Sequence, residues 1–190
     1  MRINTLPNWL TLARILALPV LILLTLSPGR GLGIAAAVLF SGAAITDLLD
    51  GYFARRTGQV SELGKLLDPI ADKILVSTAL IMLVHLERVP AWMVALIISR
   101  EFAVSGLRAY AGTRNIVIAA AFTGKLKTTL QILAVIALLV NEPLWGFPFR
   151  EVGWILLIAA FVATMWSGYR YFVDYASEMK RKSDDAPTPS

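Results

Sequence analysis

Long apolar runs separated by short polar breaks organise the whole chain. Six of these runs have the length of a membrane helix, since a bilayer core needs roughly 20 mostly apolar residues per span. Most of the breaks contain proline, glycine or asparagine, which favour turns over helices. The predicted spans are Trp9–Leu26, Leu32–Leu49, Leu67–His85, Ala91–Tyr110, Ile116–Val140 and Val152–Phe172.

The composition agrees with a membrane protein. Of the 190 residues 57% are hydrophobic, 16% are charged and none is cysteine, whereas a soluble domain averages about 45–50% apolar and about 25% charged residues. The high hydrophobic fraction excludes a disordered chain, and the absence of cysteine excludes a disulfide scaffold. The low charged fraction disfavours a water-soluble globular protein. We predict an all-α polytopic membrane protein with six transmembrane helices in one domain, residues 1–180. Residues 181–190 are predicted to be a short disordered tail.

The basic residues predict the orientation of the chain in the membrane. With six spans, both termini lie at the same face. Of the 18 Lys and Arg residues, only Arg30, Arg88 and Arg150 fall at the opposite face. Because basic residues accumulate at the cytoplasmic side, both termini are predicted to be cytoplasmic. The expected location is the cytoplasmic membrane of a bacterium.

Four aspartates interrupt the apolar pattern at one face of the predicted membrane domain. Asp47 and Asp50 are three residues apart near the end of the second span, and Asp68 and Asp72 are four apart at the start of the third. Each pair therefore shares one face of its helix. A short polar connection makes these helices antiparallel neighbours, so the four carboxylates are expected to converge in one pocket.

Four carboxylates in one pocket require positive charge among them. The cluster contains no His or Cys, which disfavours zinc and favours Mg²⁺ or Mn²⁺. Two such ions would stabilise both the attacking and the leaving oxygen of a phosphoryl displacement. The alternative is that the aspartates form ion pairs, Asp50 with Arg55 and Asp68 with Lys73.

Residues beside the aspartates fit a phosphate ligand. Gly51 and Gly64 allow a ligand to approach the backbone closely. Pro69 removes an amide donor and bends or opens the third helix beside the predicted metals. Arg55 can bind a phosphate through two parallel N–H donors.

The complete pattern resembles the signature of the CDP-alcohol phosphotransferases. It reads Asp47-x2-Asp50-Gly51-x2-Ala54-Arg55-x8-Gly64-x3-Asp68-x3-Asp72. The resemblance implies that an alcohol hydroxyl attacks the β-phosphorus of a CDP-linked lipid and releases CMP. It also implies six helices, a pair of divalent metal ions and a homodimer.

The same resemblance implies roles for individual residues. All four aspartates would bind the metal pair, and Asp68 and Asp72 would be catalytic, with Asp72 as the proton acceptor. Spacing alone leaves open which of the four carboxylates takes the proton. The residues implied to contact the CDP-lipid are Asn8, Thr11, Gly51, Ala54, Arg55, Ser61 and Gly64.

Three further stretches resemble the members of the family whose acceptor is glycerol 3-phosphate and whose donor is CDP-diacylglycerol. They are Asn8-Trp-Leu-Thr11-Leu-Ala-Arg14, then Ser99-Arg100-Glu101 with Ser105-Gly106-Leu107-Arg108, and Gly124-Lys125-Leu-Lys127-Thr128-Thr129-x-Gln131.

A glycerol 3-phosphate dianion needs fixed positive charge in its site. The residues predicted to bind its phosphate lie in or beside the fourth and fifth spans, where charge is expensive and usually functional. They are Arg100, Arg108, Arg114, Lys125 and Lys127. The alternative is that these cations anchor helix ends to anionic lipid.

Two other functions remain open at this point. One is a related enzyme with inositol phosphate, serine or another alcohol as its acceptor, which the aspartate pattern does not distinguish. The other is a cation-coupled transporter. Transporters usually place such sites near the bilayer midplane in repeated halves, whereas here the cluster lies near one face and has no second copy. Nucleic acid is not an expected partner, because the basic residues alternate with spans.

Overall fold

Six helices make up the part of the chain that the structure describes. The computed structural model describes the backbone of residues 6–57, 62–113 and 123–184, and the side chains of residues 13–46, 73–113 and 126–181. The helices are α1 (Leu6–Thr25), α2 (Arg30–Thr57), α3 (Glu62–His85), α4 (Ala91–Thr113), α5 (Thr123–Val140) and α6 (Phe149–Asp184). Apart from an isolated bridge between Leu144 and Phe147, the described residues contain no β-structure. The all-α class is confirmed.

Each predicted span overlaps one helix, but two helices continue beyond their spans. The second was predicted to end at Leu49, and α2 continues to Thr57. The sixth was predicted to end at Phe172, and α6 continues to Asp184 through Glu, Met, Lys and Arg, which are strong helix formers. The predicted tail, 181–190, therefore begins with four helical residues, and its remainder lies outside the described part of the chain.

Three described connections, residues 26–29, 86–90 and 141–148, are short, which is typical of antiparallel neighbouring helices. The helix α5 packs most extensively against α6, while α1 packs against both α2 and α3. Further contacts join α2 to α5 and α4 to α6, and the direct contact between α2 and α3 is slight. We call the end with the turns 26–29, 86–90 and 141–148 the turn end. The opposite end, where α2 stops and α3 starts, is called the aspartate end.

The hydrophobic core draws on every helix of the bundle. Leu21, Phe40, Leu83, Leu138 and Leu157 come from five different helices, and each is 0% exposed. Fully burying a side chain of this size contributes about 1.5–3 kcal/mol relative to leaving it in water. Because the buried residues continue into the turn after α3, the core extends to the turn end.

Large apolar side chains also cover much of the outer surface. Leu16, Leu23, Val38, Ile155 and Val162 are all more than half exposed. Continuous apolar patches of this kind mark surfaces that contact protein or lipid.

One helix within the described residues, Phe149–Arg181, is long and apolar enough to cross a membrane. Shorter apolar helical segments occur at Ala13–Thr25, Arg30–Thr46, Lys73–His85 and Leu126–Val140. Charged residues interrupt α4 at Arg100, Glu101 and Arg108. Six membrane-spanning helices therefore stay a prediction.

At the turn end, Arg88 caps the carboxyl end of α5. Its Nη1 donates hydrogen bonds to the carbonyl oxygens of Leu138 at 2.8 Å and Leu139 at 2.6 Å. The last carbonyls of a helix have no partner within the helix and carry partial negative charge, so a cation there is stabilising. Burial lowers the pKa of the Arg88 guanidinium, while the charge of Glu142 acts in the opposite direction.

Two glycines allow helices to approach α5 closely. A Cβ atom on Gly33 of α2 would lie 2.5 Å from the carbonyl oxygen of Leu139, and one on Gly153 of α6 would lie 2.8 Å from Cγ of Leu138. Neither distance is possible without a shift of the helices. These contacts set how tightly α2 and α6 pack on α5.

The close approach at Gly33 predicts a loss of stability in Gly33→Ala. The new methyl group meets a backbone atom that cannot rotate away, so the helices must separate. We expect the free energy of unfolding to fall by about 1–3 kcal/mol, measured by thermal unfolding of the purified protein in detergent. Gly31→Ala is the matched control. Gly31 lies in the same helical turn as Gly33, and nothing lies within 4 Å of its Cβ position. Equal stability of the two variants would contradict the prediction.

Candidate functional site

The four aspartates of the predicted metal site lie on two helices. Asp47 and Asp50 belong to α2, and Asp68 and Asp72 belong to α3. The helical backbone gives each pair the spacing that places two residues on one face. The four side chains lie outside the described residues. The metal site and the catalytic roles of Asp68 and Asp72 therefore stay predictions.

Six of the seven residues predicted to bind the CDP-lipid lie on three helices near the aspartate end. Because α1 packs against both α2 and α3, these three helices are neighbours. Ser61 lies outside the described chain, as do the side chains of the whole set. The backbone places Asn8 and Thr11 in α1, Gly51, Ala54 and Arg55 in α2, and Gly64 in α3.

Three charged side chains from two helices form a cluster inside the bundle. Arg100 Nη1 donates to Oε1 of Glu101 at 2.8 Å, and Lys127 Nζ donates to the same carboxylate oxygen. The side chains of Arg100 and Lys127 are 10% exposed and that of Glu101 is 20% exposed. We call these three residues the ion trio. It joins α4, which carries Arg100 and Glu101, to α5, which carries Lys127.

Arg100 also ties the ion trio to α6. Its Nη2 donates to the hydroxyl oxygen of Ser167 at 2.6 Å, and Ser167 in turn donates to the carbonyl oxygen of Thr164 at 3.2 Å. A Cβ atom on Gly168 would lie 2.8 Å from Nε of Arg100. The arginine side chain therefore lies directly against the backbone of α6.

A hydrogen-bonded serine connects the ion trio to α3. Ser105 Oγ donates to the backbone carbonyl of Glu101 at 2.6 Å, and Lys73 Nζ donates to Ser105 Oγ. Lys73 directly follows Asp72 in the chain. The α3 backbone at this position is therefore no farther from Ser105 of α4 than the length of a lysine side chain. The ion trio and the aspartate-bearing part of α3 therefore lie at the same level of the bundle.

The other predicted acceptor residues are placed less completely. Arg108 is exposed on α4, and its guanidinium carbon lies 5.5 Å from the centre of the Tyr171 ring on α6, within the range of a cation–π contact. Lys125 belongs to α5 but its side chain lies outside the described residues, and Arg114 lies outside them entirely. Of the five predicted cations, the structure brings together Arg100 and Lys127.

The ion trio has one more positive than negative charge, because two cations share a single carboxylate. Lys73 adds a further cation nearby through its hydrogen bond to Ser105. Inside a bundle the effective dielectric constant is far below that of water, so this excess attracts an anion strongly. A phosphate group fits these donors, because charge-assisted hydrogen bonds to phosphate are short and strong.

Two residues of this region were not identified from the sequence. Ser167 and Gly168 lie within the apolar run of α6 and hold Arg100 in place. The sequence carries one sign of this role, which is the pair of adjacent small residues. In an apolar helix, such residues indicate that a neighbouring helix approaches closely. The identity of that neighbour, 67 residues away in sequence, follows only from the fold.

Within the side chains that the structure describes, no group of three or more His, Cys, Asp or Glu residues is placed to hold a metal ion. The four predicted metal ligands are not among those side chains.

A separate cavity of about 470 Å³ opens at the turn end and contains none of the predicted site residues. Two of the charged side chains at its wall, those of Arg88 and Glu142, have partners. Arg30 Nε lies 3.4 Å from Oε2 of Glu142, and Arg88 caps α5. The lining residues are Pro28, Gly29, Leu86, Glu87, Arg88, Asn141, Glu142 and Arg150.

Comparison with known proteins agrees with the aspartate pattern. The family model described as CDP-alcohol phosphatidyltransferase matches residues 4–166. The match includes all four aspartates and the ion trio.

Three relatives all bear the name CDP-diacylglycerol–glycerol-3-phosphate 3-phosphatidyltransferase. The Bacillus subtilis (strain 168) protein is 47% identical over 182 residues, covering 88% of this chain and 93% of the relative. The Rickettsia prowazekii (strain Madrid E) protein is 43% identical, covering 90% and 96%. The Shigella flexneri serotype 5b protein is 38% identical, covering 87% and 91%. This chain belongs to the CDP-alcohol phosphatidyltransferase family.

Proposed function

We propose that this protein transfers the phosphatidyl group of CDP-diacylglycerol to glycerol 3-phosphate, forming phosphatidylglycerophosphate and CMP. The observation that carries the proposal is 47% identity, over 88% of this chain, to a relative named for this activity. The ion trio supports it independently, because an acceptor that carries a phosphate dianion needs buried positive charge.

Asp47, Asp50, Asp68 and Asp72 would hold a pair of Mg²⁺ or Mn²⁺ ions. The donor set fits these ions, since all four ligands supply carboxylate oxygens. Packing of α1 against both α2 and α3 keeps the two carboxylate-bearing helices together. When bound, the ions would neutralise the diphosphate and stabilise charge on the attacking and leaving oxygens.

Asp72 accepts the proton of the acceptor hydroxyl in the proposed reaction. The hydroxyl oxygen forms a bond to the β-phosphorus, the bond from that phosphorus to the bridging oxygen breaks, and CMP leaves with the electron pair. Asp68 lies one helical turn before Asp72 on α3, so both carboxylates serve the same end of the site. Assignment of the proton to Asp72 follows from the family resemblance.

The CDP-lipid is bound at the aspartate end of α1, α2 and α3. Arg55 supplies two parallel donors to a phosphate oxygen pair, and Gly51 and Gly64 let the diphosphate approach the backbone. The full proposed set is Asn8, Thr11, Gly51, Ala54, Arg55, Ser61 and Gly64.

Glycerol 3-phosphate is bound on the α4 and α5 side of the same end. The hydrogen bond from Lys73 to Ser105 joins this side to α3, which keeps acceptor and donor sites adjacent. The residues proposed to supply positive charge for the acceptor phosphate are Arg100, Arg108, Arg114, Lys125 and Lys127.

The six helices are proposed to cross the cytoplasmic membrane of a bacterium, with both termini and the active site at the cytoplasmic face. Support comes from the apolar length of α6 and from the exposed apolar side chains of α1 and α2, such as Leu23 and Val38. The donor is itself a membrane lipid, so a site inside the bundle near one face gives it lateral access. We propose a homodimer as the working form, with residues 1–180 as one domain.

The choice of acceptor is tested with purified protein. CMP release is measured with CDP-diacylglycerol and glycerol 3-phosphate, inositol phosphate or serine in parallel. We expect kcat/KM for glycerol 3-phosphate to exceed that for serine by at least about a hundredfold, because unpaired buried cations penalise an acceptor without a phosphate. It should also exceed that for inositol phosphate, which carries a phosphate on a larger alcohol. Equal rates with serine or inositol phosphate would assign the protein to another reaction of the family.

Removal of one carboxylate should stop the reaction. Asp68→Asn and Asp72→Asn are each expected to lower kcat by at least about a hundredfold, because charge stabilisation of the transition state is lost. Thermal unfolding should show that both variants remain folded. Glu151→Gln is the matched control, since this exposed carboxylate lies in the first turn of α6, at the turn end of the bundle. Near-normal kcat in either α3 variant would remove the metal-site proposal.

Chelation provides a test that needs no substitution. Removing divalent ions with EDTA should abolish CMP release, and adding Mg²⁺ or Mn²⁺ should restore it, because carboxylates bind these hard cations reversibly. Turnover that persists in a chelator would show that the aspartates act without a metal ion.

A further inference from the structure

We propose that Glu101 is the positioning residue of the acceptor-phosphate site. It holds Lys127 and Arg100 together so that the Lys127 ammonium faces the phosphate, while Gly168 gives Arg100 the space to lie against α6. This inference rests on the proposed function, since it assigns separate roles within the acceptor site.

Glu101 is the only negative charge of the ion trio, and a single oxygen of its carboxylate accepts hydrogen bonds from both cations. Without that charge, two cations with side chains 10% exposed would repel each other in a low-dielectric interior. They would separate toward solvent. Glu101 therefore determines where both positive charges lie.

Arg100 is occupied by protein partners. Its Nη1 donates to Glu101, its Nη2 donates to Ser167, and its Nε is buried without a hydrogen-bond partner. Each nitrogen of the guanidinium therefore faces a protein group: Nη1 faces Glu101, Nη2 faces Ser167, and Nε faces the α6 backbone at Gly168. Arg100 therefore contributes charge and fixes Glu101, and it acts on the acceptor through the other members of the trio.

Lys127 is the member of the trio that can contact the acceptor. Its ammonium group carries three N–H donors, and Glu101 accepts one of them. The remaining donors have a fixed direction, because the hydrogen bond to Glu101 stops the flexible lysine side chain from sampling other rotamers. This pre-organisation lowers the entropy cost of binding the phosphate.

Gly168 completes the arrangement from α6. A Cβ atom there would lie 2.8 Å from Nε and 3.0 Å from Cγ of Arg100. Cγ lies near the base of the side chain, so the arginine cannot avoid a methyl group by a movement of its tip alone. Any larger residue at position 168 would push Arg100 away from Ser167 and Glu101.

The first test compares the two substrates in Glu101→Gln, with the full chain purified in detergent or nanodiscs. Glutamine keeps the shape and an acceptor oxygen but removes the charge. We expect the KM for glycerol 3-phosphate to rise at least about tenfold, the typical cost of losing a charged hydrogen-bond partner, with the KM for CDP-diacylglycerol within about twofold of wild type. Equal increases in both KM values would indicate a general structural role and overturn the proposal.

A double-mutant cycle tests whether Glu101 acts through Lys127. Lys127→Met and the double variant Glu101→Gln/Lys127→Met are measured beside the single Glu101→Gln variant. If Glu101 positions Lys127, the double variant should have the same acceptor KM as Lys127→Met. Additive effects of the two substitutions would overturn the proposal.

Gly168→Ala probes the same arrangement from the other side. We expect the acceptor KM to rise about two- to tenfold, as expected when a charged hydrogen-bond network shifts, and the donor KM to stay unchanged. Gly42→Ala is the control, because nothing lies within 4 Å of its Cβ position. An unchanged acceptor KM in a folded Gly168→Ala protein would remove Gly168 from the proposal.

Ligand binding separates the failure of this inference from the failure of the proposed function. Isothermal titration with glycerol 3-phosphate, and with inorganic phosphate, is performed on wild type and Glu101→Gln without donor lipid. Wild-type binding of glycerol 3-phosphate that weakens at least about tenfold in the variant supports the inference. Equal affinities overturn it. Whether the wild-type protein turns over glycerol 3-phosphate is decided separately by CMP release.

Discussion

A single carboxylate shared by two buried cations is the interaction on which the polar half of the bundle depends. Glu101 binds Arg100 on its own helix and Lys127 on α5, and Arg100 extends the connection to Ser167 on α6. Charges at this depth are tolerated only when they are paired. The pairing therefore does two things at once: it joins three helices where apolar packing is interrupted, and it leaves a net positive charge beside the aspartate-bearing helices.

The two ends of the bundle are stabilised in different ways. At the turn end the helices approach α5 so closely that Gly33 and Gly153 have no room for a Cβ atom, and Arg88 caps α5. A rigid apolar half of this kind can compensate for a polar half that is less favourable to bury. In the proposed function, this separation would place the chemistry at the aspartate end, where water-soluble glycerol 3-phosphate and the lipid-linked donor could both arrive.

Hydrophobic patterning predicted six helices because each buries or exposes an apolar surface over most of its length. It did not predict the ends of α2 and α6, which continue to Thr57 and Asp184. The length of an apolar run indicates which part of the chain prefers lipid or the protein core. A helix can continue past that run as long as the following residues have high helix propensity. The spacing of Asp68 and Asp72 likewise predicted a shared helix face, and the backbone of α3 has the helical form that this requires.

Local spacing identified Arg100 and Lys127 as buried-site candidates, but it did not reveal that one carboxylate holds both of them. Their common partner, Glu101, is adjacent to Arg100 and 26 residues before Lys127, and the contact with Ser167 spans 67 residues. These contacts join different helices and depend on how α4, α5 and α6 are arranged in the bundle. The pattern of residues around any single helix therefore cannot predict them. A sequence shows which residue carries a charge, but the direction in which that side chain points depends on the neighbours that neutralise it. For this reason a cation whose nitrogen atoms all face protein groups and a cation that keeps donors directed away from its partner look identical in sequence. In the proposed acceptor site only the second, Lys127, contacts the phosphate.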